Sequence, residues 1–454
     1  MNDVELKKAY VLAVDMGYGH QRAVFPFLDI AAVPTEWNMA EPTIICANNY
    51  PGIPFRDRLR WEGTRKLYET ISRLKSLPLI GTKIFGLMDH FQRIEDFYPK
   101  RDLSAPSMQV KQMYKMIEAG FGKHLIDTLN KNPLPLLTSF FGTAFFAEEH
   151  GYKGSIYCLC TDTDISRAWA PLNPKESRII YLAPNKRVQE RLKLYGIATD
   201  KIVVTGFPLP KAVTGPRDTW TTLKASVKRR ILKLDHKGLY QKKYQKILLS
   251  YLGEGYQDLS PHQPLTITFA VGGAGAQAEI GLKILKSLRP QIVSKEIKLN
   301  LIAGASKKVN TIFLNAIRAL RLKDSLNKNV QVIYNADKLV YFKEFNDILI
   351  ETDILWTKPS ELSFYAGLGL PIIIAPTIGS QEDCNRAWLH LIGAGFEQDN
   401  PEYTNEWLFD WLKSGWLAEA ALSGFLNAPK NGTYHVEDIV LHGRRTEIED
   451  IHFI

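Results

Sequence analysis

The sequence has few cysteines and lacks a long apolar run. Only four cysteines occur among 454 residues, too few for a fold that depends on disulfide bonds. Cys158 and Cys160 share one strand-like apolar stretch, while Cys46 and Cys384 are isolated, so we expect free thiols and no metal site. No stretch approaches the ~18 apolar residues of a membrane-spanning helix, and residues 1–5 do not resemble a signal peptide. The sequence therefore predicts a cytoplasmic protein.

Composition favours a folded protein of two domains. Apolar residues make up 45% and charged residues 23% of the chain, as in globular proteins. A length of 454 residues exceeds what one hydrophobic core usually organises. The formal charge of +9 is compatible with an anionic partner. No nucleic acid is expected as that partner, because zinc-finger spacing and aromatic RNA-binding signatures are absent.

Two glycine-rich turns occupy corresponding places in the two halves of the chain. Residues 15–20 (DMGYGH) and 272–277 (GGAGAQ) each follow an apolar run and precede an expected helix. A strand, a glycine turn and a helix start together present backbone N–H groups to phosphate. Glycines also permit tight turns in any α/β protein, but the pairing favours an α/β fold with two Rossmann-like domains facing a central cleft.

Short apolar runs predict the strands of two mostly parallel sheets. The predicted strands are 10–14, 43–46, 134–137, 155–160, 179–182, 202–204, 265–271, 298–302, 330–333, 354–356 and 371–375. Two prolines around Leu209 break this pattern and place a domain boundary there. The resulting division is an N-terminal acceptor domain 1–210 with a basic insertion 51–125, a basic linker 211–262, a donor domain 263–420 and a C-terminal tail 421–454.

Two segments are strongly basic. The segment from Arg56 to Arg93 contains nine Lys or Arg residues and four acidic residues, with Leu67, Ile71 and Leu74 at helical spacing. The segment from Lys224 to Lys246 contains nine Lys or Arg residues and one acidic residue. Basic residues beside an apolar stripe suit an anionic membrane surface. A solvated helix that packs its apolar stripe on the protein is the more ordinary explanation for either segment.

The segment from Asp353 to Asn385 carries the most specific pattern. A strand and a turn are followed by a helix, the tripeptide Gly369-Leu370-Pro371, a second strand, and then Gln381 and Glu382, with Asn385 three residues beyond the Glu. This order resembles the donor-binding region of GT-B glycosyltransferases, of the kind that includes monogalactosyldiacylglycerol synthase and the N-acetylglucosaminyltransferase of the peptidoglycan lipid intermediate.

The first half carries a second resemblance to the same family. The first glycine turn ends in Gly19-His20, Thr161-Asp162 is followed by Trp169, and Lys201–Pro208 resembles the strand that closes the domain. Together the resemblance covers residues 9–20, 134–210 and 265–390.

The resemblance implies a reaction and a set of site residues. The reaction is the inverting transfer of a sugar from a nucleotide diphosphate donor, a UDP-sugar. The basic segments, and not the resemblance, suggest a lipid-linked or membrane-proximal acceptor on the inner membrane face. Backbone amides and helix N-termini can stabilise the leaving diphosphate, so neither a metal nor another cofactor is expected. The donor-binding residues that it implies are Gly272, Gly273, Gly275, Gln277, Lys358, Ser360, Glu361, Gln381, Glu382 and Asn385.

The acid/base candidates lie in the first half. A general base must take the proton of the acceptor hydroxyl, and His20, beside Gly17 and Gly19 of the glycine turn, has a suitable ordinary pKa. Asp162 is the alternative base or the partner that orients it. Either residue can instead serve as a helix cap.

Two departures from the family pattern keep alternatives open. The position of the Glu that grips ribose in the family is Phe364 here, with Glu361 one turn earlier, and the His that often follows the Thr-Asp segment is Ser166. The alternatives are a nucleotide-sugar 2-epimerase and a relative that binds a nucleotide or glycan without catalysis.

Overall fold

A computed structural model describes residues 7–39, 41–63, 93–253, 264–270, 277–377 and 379–445. The chain divides into two units, and it first passes from one to the other between Leu209 and Pro210. The first unit contains residues 1–209, 378–385 and 431–454, and the second contains 210–377 and 386–430. Residues 378–385 and 431–454 thus group with the first unit, whereas the sequence-based division places them in the donor domain and the C-terminal tail.

The first unit is built on a parallel sheet of seven strands. Its strands are β1 (Ala9–Ala13), β2 (Ala31–Ala32), β3 (Ile45–Cys46), β4 (Leu136–Thr138), β5 (Ile156–Leu159), β6 (Ile180–Ala183) and β7 (Ile202–Val204). The order is β2-β1-β4-β5-β6-β7, and β3 pairs with β1 beside β2. Tyr10 pairs with Leu136, and Leu136 pairs with Ile156, which fixes the register of the three central strands.

Helices surround this sheet. The α-helices are Gly19–Val24, Met108–Glu118, Lys123–Leu129, Phe141–Glu149, Lys186–Leu194, Gly432–His442 and the first turns of Ser380–Leu391. Residues 55–63 are also helical, and 3-10 helices span Phe25–Ile30, Thr35–Trp37, Arg167–Trp169 and Thr199–Lys201. Ser107 and Asn185 cap the helices that follow them, because their side chains accept the N–H bonds of Val110 and Val188.

The second unit is built on a parallel sheet of six strands. Its strands are β8 (Leu265–Ala270), β9 (Ile297–Gly304), β10 (Val330–Tyr334), β11 (Ile354–Thr357), β12 (Ile372–Ile374) and β13 (Gly395–Glu397). The order is β10-β9-β8-β11-β12-β13. The strands β8 and β11 are buried along their whole length, as expected for a parallel sheet covered on both faces.

The helices of the second unit follow the same alternation. They are Lys211–Thr214, Thr221–Leu234, Leu239–Leu252, Ala278–Ser287, Arg289–Val293, Lys307–Ala319, Lys338–Glu351, Thr404–Ser414, Trp416–Asn427 and the last turns of Ser380–Leu391, with 3-10 helices at Lys323–Ser325, Glu361–Leu368 and Pro401–Tyr403. The predicted α/β fold with two Rossmann-like domains is confirmed by the two parallel sheets.

Three basic residues of the helix Thr221–Leu234 are held inside the second unit. Arg230, which is 1% exposed, donates hydrogen bonds to the carbonyl oxygens of Thr352, Leu368 and Gly369 at 2.9, 2.7 and 3.0 Å. Lys233 forms a buried ion pair with Asp353, with 2.9 Å between Nζ and Oδ2. Arg229 donates to a carbonyl oxygen of the neighbouring helix, that of Ile350. These three cations are thus bonded to polar groups of the second unit, whereas the more ordinary explanation has only the apolar stripe of the helix packed on the protein.

Candidate active site

The first candidate site lies where the parallel strands of the first unit end. Strand β1 pairs with β4 on one side and with β2 and β3 on its other side, and all these pairs are parallel. The strand order therefore reverses between β1 and β4, and ligands of open α/β sheets bind outside the carboxyl ends of the strands at such a reversal. The glycine turn follows β1, Ser139 follows β4, and Asp162 follows β5.

The glycine turn after β1 is held in place by the side chain of Asn48, which follows the neighbouring strand β3. The backbone N–H of Asp15 donates to Oδ1 of Asn48 at 2.8 Å, and Nδ2 of Asn48 donates to the carbonyl oxygen of Asp15 at 3.2 Å. Gly17 has a φ of 101°, which side-chain-bearing residues rarely adopt. Gly19 then begins the helix Gly19–Val24. The turn is thus a fixed element with an exposed glycine at its tip.

His20 is bonded to the end of β4. Its Nδ1 lies 2.7 Å from the carbonyl oxygen of Ser139, and the Ser139 hydroxyl donates to the carbonyl oxygen of His20 at 2.7 Å. A carbonyl oxygen only accepts, so Nδ1 carries the proton of this bond. In the neutral ring the lone pair is then on Nε2, which is the atom that can accept a proton. The Nδ1 side of the ring thus bonds the end of a neighbouring strand.

Asp162 is hydrogen-bonded to a residue 223 positions later in the chain. Nδ2 of Asn385 donates to Oδ1 of Asp162 at 2.9 Å, and Oδ1 of Asn385 accepts bonds from the backbone N–H and the hydroxyl of Thr163, both at 2.9 Å. Asn385 is fully buried, whereas Asp162 is partly exposed. The structure therefore joins an acid/base candidate and a donor-binding candidate that the sequence assigned to separate motifs.

Gln381 and Glu382 precede Asn385 on the same helix, Ser380–Leu391. Glu382 is buried, and its backbone N–H donates to the carbonyl oxygen of Gly379 at 2.9 Å. The Gln381 side chain folds back over Gly379, where its Oε1 lies 3.1 Å from the position that a Cβ would take. Both predicted residues thus belong to the first turns of this helix, in the first unit.

A buried ion network supports the loop after β5. Arg191, 1% exposed, donates from Nε and from its terminal nitrogen to the two oxygens of Asp164, both at 2.8 Å. Arg187 donates to Asp164 at 2.9 Å, and its guanidinium carbon lies 3.7 Å from the centre of the Phe97 ring. A bidentate guanidinium–carboxylate pair fixes orientation as well as distance. The helix Lys186–Leu194, which carries both arginines, therefore fixes the position of the loop that contains Asp162.

The second candidate site lies at the carboxyl ends of β8, β11 and β12 in the second unit. The strand order of this sheet reverses between β8 and β11. Gln277 Nε2 donates to the carbonyl oxygen of Pro376, just after β12, at 2.7 Å. Lys358, Ser360 and Glu361 directly follow β11. These predicted donor residues therefore share one edge, while the predicted Gly272, Gly273 and Gly275 lie outside the described residues.

Phe364 takes part in the core of the second unit. It is 2% exposed, and its ring centre lies 5.3 Å from that of Trp388. Glu361, the suggested substitute for the ribose-binding Glu, is 7% exposed at the start of the 3-10 helix Glu361–Leu368. An aromatic pair thus stands at the position where the sequence resemblance to GT-B glycosyltransferases leads one to expect a carboxylate.

None of the four cysteines takes part in a disulfide bond; Cys158 and Cys160 are buried, and Cys46 and Cys384 are partly exposed. Burial raises the pKa of the Cys158 and Cys160 thiols well above the ordinary value, and it raises the pKa of Cys384 to about 12. Within the described ranges no group of three or more His, Cys, Asp or Glu side chains could hold a metal ion.

The described helices include none that is long and apolar enough to cross a bilayer. The helical residues 55–63 open the first basic segment, and they leave Phe55 71% and Leu59 50% exposed beside Arg56 and Arg58. Residues 64–92, which contain most of this predicted membrane-binding segment, lie outside the described part of the chain.

Sequence reasoning missed the polar residues that hold the site together. Asn48, Ser139 and Asn185 each bond a loop at the carboxyl edge of the first sheet. Their only sequence signal is position, since Ser139 lies two residues after the predicted strand 134–137 and Asn185 lies three residues after the predicted strand 179–182. Neither signal says which loop the side chain will bond.

The two sheets with polar residues at their carboxyl edges define an α/β protein of two Rossmann-like units. No protein-family profile matches the chain, and no curated protein matches it. Among solved structures, S. aureus MnaA, solved with UDP, is 11% identical, with a TM-score of 0.46 over 96% of this chain and 95% of its own. Acinetobacter baumannii MurG is 14% identical, with a TM-score of 0.45 over 95% and 99%. UDP-GlcNAc 2-epimerase from Neisseria meningitidis, bound to UDP-GlcNAc, is 12% identical, with a TM-score of 0.42 over 74% and 82%.

Proposed function

We propose that the protein is a glycosyltransferase that moves a sugar from a UDP-sugar to a lipid-linked or membrane-proximal acceptor, with inversion at the anomeric carbon. The hydrogen bond between Asn385 and Asp162 carries this proposal. These residues belong to two separate motifs of the family resemblance, and chance similarity in two distant segments gives no reason for their side chains to meet.

The proposed reaction is a single displacement. The acceptor hydroxyl oxygen bonds to the anomeric carbon, the bond from that carbon to the diphosphate oxygen breaks, and UDP leaves with the bonding electrons. The hydroxyl proton passes to a base, for which Nε2 of His20 is suited because Nδ1 already carries the proton donated to Ser139. In this proposal the glycine-rich residues 272–275, which follow β8 in the sequence, receive the diphosphate through backbone N–H groups.

The test is a panel of radiolabelled nucleotide sugars, each incubated with the purified protein with and without a lipid extract. We expect UDP release that depends on the acceptor. Epimer formed without an acceptor would instead favour a 2-epimerase.

The role of His20 is tested with a matched pair of histidine variants. His20→Ala should lower turnover by roughly 10² to 10⁴ while donor affinity stays within a few-fold, because the base acts on the proton in the transition state. The control is His150→Ala: the ring of His150 also bonds a backbone carbonyl, at 2.8 Å, but His150 precedes β5 and so lies near the opposite edge of the sheet. Equal effects of the two substitutions would remove His20 from the mechanism.

A second candidate function is binding of a nucleotide or glycan without transfer. The burial of Phe364 against Trp388 favours it, since no carboxylate stands at the position that binds ribose in the resembled family. Calorimetric binding of UDP by a protein that turns over no donor of the panel would support this candidate.

A further inference from the structure

Asn385 uses both ends of its amide inside the first unit. Its oxygen accepts two hydrogen bonds from Thr163, one from the backbone N–H and one from the hydroxyl. Two donors on that side determine which end of the amide is oxygen, so the NH₂ group must point to Asp162. The Nδ2 to Oδ1 distance of 2.9 Å is that of a good hydrogen bond to a carboxylate.

Thr163, which donates both bonds to the Asn385 oxygen, is itself held in place by its neighbours. Nδ2 of Asn185 donates to the carbonyl oxygen of Thr163 at 3.0 Å, and Arg191 holds the next residue, Asp164, through two bonds of 2.8 Å. Thr163 is therefore bonded from two sides, and Asn385 is bonded to Thr163. A side chain held in this way has little freedom to turn toward a ligand.

We infer that Asn385 is a positioning residue, which keeps Asp162 oriented and ionised for acid/base chemistry, and that it does not read the donor sugar as the sequence pattern suggests. A donor N–H at 2.9 Å stabilises the carboxylate over the neutral acid. The inference rests on the proposed function with Asp162, the alternative base, in place of His20 as the group that takes the proton of the acceptor hydroxyl, so that ionisation of Asp162 sets the acidic limb of the kcat profile.

Titratable groups on two neighbouring elements also face Asp162. Cys160 on β5 and Cys384 on the helix Ser380–Leu391 interact with its carboxylate, and burial raises the pKa of both thiols, so they add no charge near neutral pH. Asp164 is compensated by Arg187 and Arg191. Replacing the amide of Asn385 by a carboxylate therefore adds a titratable group in direct contact with Asp162.

The test is Asn385→Asp, which preserves shape and keeps the acceptor for Thr163 but replaces the N–H donor by a carboxylate oxygen. Two carboxylates at this distance share a proton and titrate as a coupled pair. The two Thr163 donors favour the anion at position 385, so the proton resides mainly on Asp162. With carboxyl-¹³C aspartate and resonances assigned through Asp162→Asn, we expect the Asp162 titration to move up by at least about one pH unit.

The kinetic readout separates positioning from sugar contact. In Asn385→Asp the acidic limb of the kcat profile should rise by about the same one pH unit, while the KM of the donor stays within about twofold. A tenfold rise in donor KM with an unmoved limb and an unmoved Asp162 titration would overturn the inference. If the wild type turns over no donor, the proposed function fails, and the ¹³C titration still decides whether the contact exists.

Two further variants keep the test decisive. Asn130→Asp makes the same exchange at an amide that also donates to one backbone carbonyl, that of Gly151, and accepts from one backbone N–H, that of Lys153, but these partners precede β5 and lie near the opposite edge of the sheet, so the limb should stay in place. If Asn385→Asp is too unstable to study, the exchange Asp162→Asn with Asn385→Asp restores an amide–carboxylate pair. We expect this double variant to recover the melting temperature lost by the single one, and no recovery would refute the contact.

Discussion

Arg230 offers the sharpest test of how the second unit is held together. Its guanidinium is almost fully buried and satisfies the carbonyl oxygens of Thr352, Leu368 and Gly369. Arg230→Met keeps most of the side-chain length but removes all three bonds. Each buried carbonyl left without a partner costs about 1 to 3 kcal/mol. Part of this cost is offset because a charge no longer has to be desolvated.

We therefore expect Arg230→Met to lower the free energy of unfolding of the second unit by about 3 to 5 kcal/mol. That loss corresponds to a factor of roughly 10² to 10⁴ in the unfolding equilibrium constant. Six of the nine tryptophans belong to the second unit, so urea denaturation followed by tryptophan fluorescence reports mainly on it. Two transitions are to be fitted where the units unfold separately.

The matched control is Lys242→Met, the same loss of a cation on the next helix, where the side chain is exposed. We expect it to change stability by no more than about 0.5 kcal/mol. Arg230→Lys should fall between the two, since an ammonium cannot reach three separated carbonyls in the fixed geometry of a guanidinium. If Arg230→Met unfolds within 0.5 kcal/mol of the wild type, the assigned role of this buried arginine is wrong.

Three further outcomes are expected. Glu361→Ala should lose about 1 to 3 kcal/mol of UDP affinity by calorimetry if its carboxylate holds ribose, and an equal loss for 2′,3′-dideoxy-UDP would contradict that contact. The wild type should sediment with anionic vesicles more than with neutral ones, and less as salt rises; Phe55→Ser with Leu59→Ser should weaken this binding at least tenfold, whereas the exposed Leu391→Ser should not. Because burial raises the pKa of the Cys158 thiol, this thiol should stay protonated and unreactive toward a disulfide reagent at pH 8, and it should react once urea unfolds the chain.

Much of the fold could be predicted because parallel strands are continuous apolar runs. Eleven predicted strands match strands of the two sheets, with ends shifted by a residue or two. The two short edge strands β2 (Ala31–Ala32) and β13 (Gly395–Glu397) were not predicted. Two alanines, or a Gly-Phe-Glu, carry no period or length that distinguishes a strand, and only the neighbouring strand makes them one.

The candidate site could be predicted only in part, for a different reason. His20 and Asp162 follow predicted strands, so the topology alone brings them to the carboxyl edge of the first sheet. The partner of Asp162 could not be predicted, because Asn385 lies 223 residues away and a motif shows the type of a residue but not the direction of its side chain. The same limit holds for Arg230, which looks like any other cation of a basic helix until its burial is known.

The position of Gly432 determines when the first unit can finish folding during synthesis. A Cβ at this position would lie 2.1 Å from the carbonyl oxygen of Phe207, so the helix Gly432–His442 begins in direct backbone contact with the end of the first unit's sheet. Nearby, the Thr433 hydroxyl donates to Leu209, and His435 Nδ1 bonds the carbonyl oxygen of Thr205. During synthesis the ribosome releases the residues of the second unit, which ends at residue 430, before this helix emerges. The first unit, whose sheet is translated first, is therefore the unit that completes its folding last. Until the helix Gly432–His442 emerges, the backbone around Phe207 lacks the segment that packs against it.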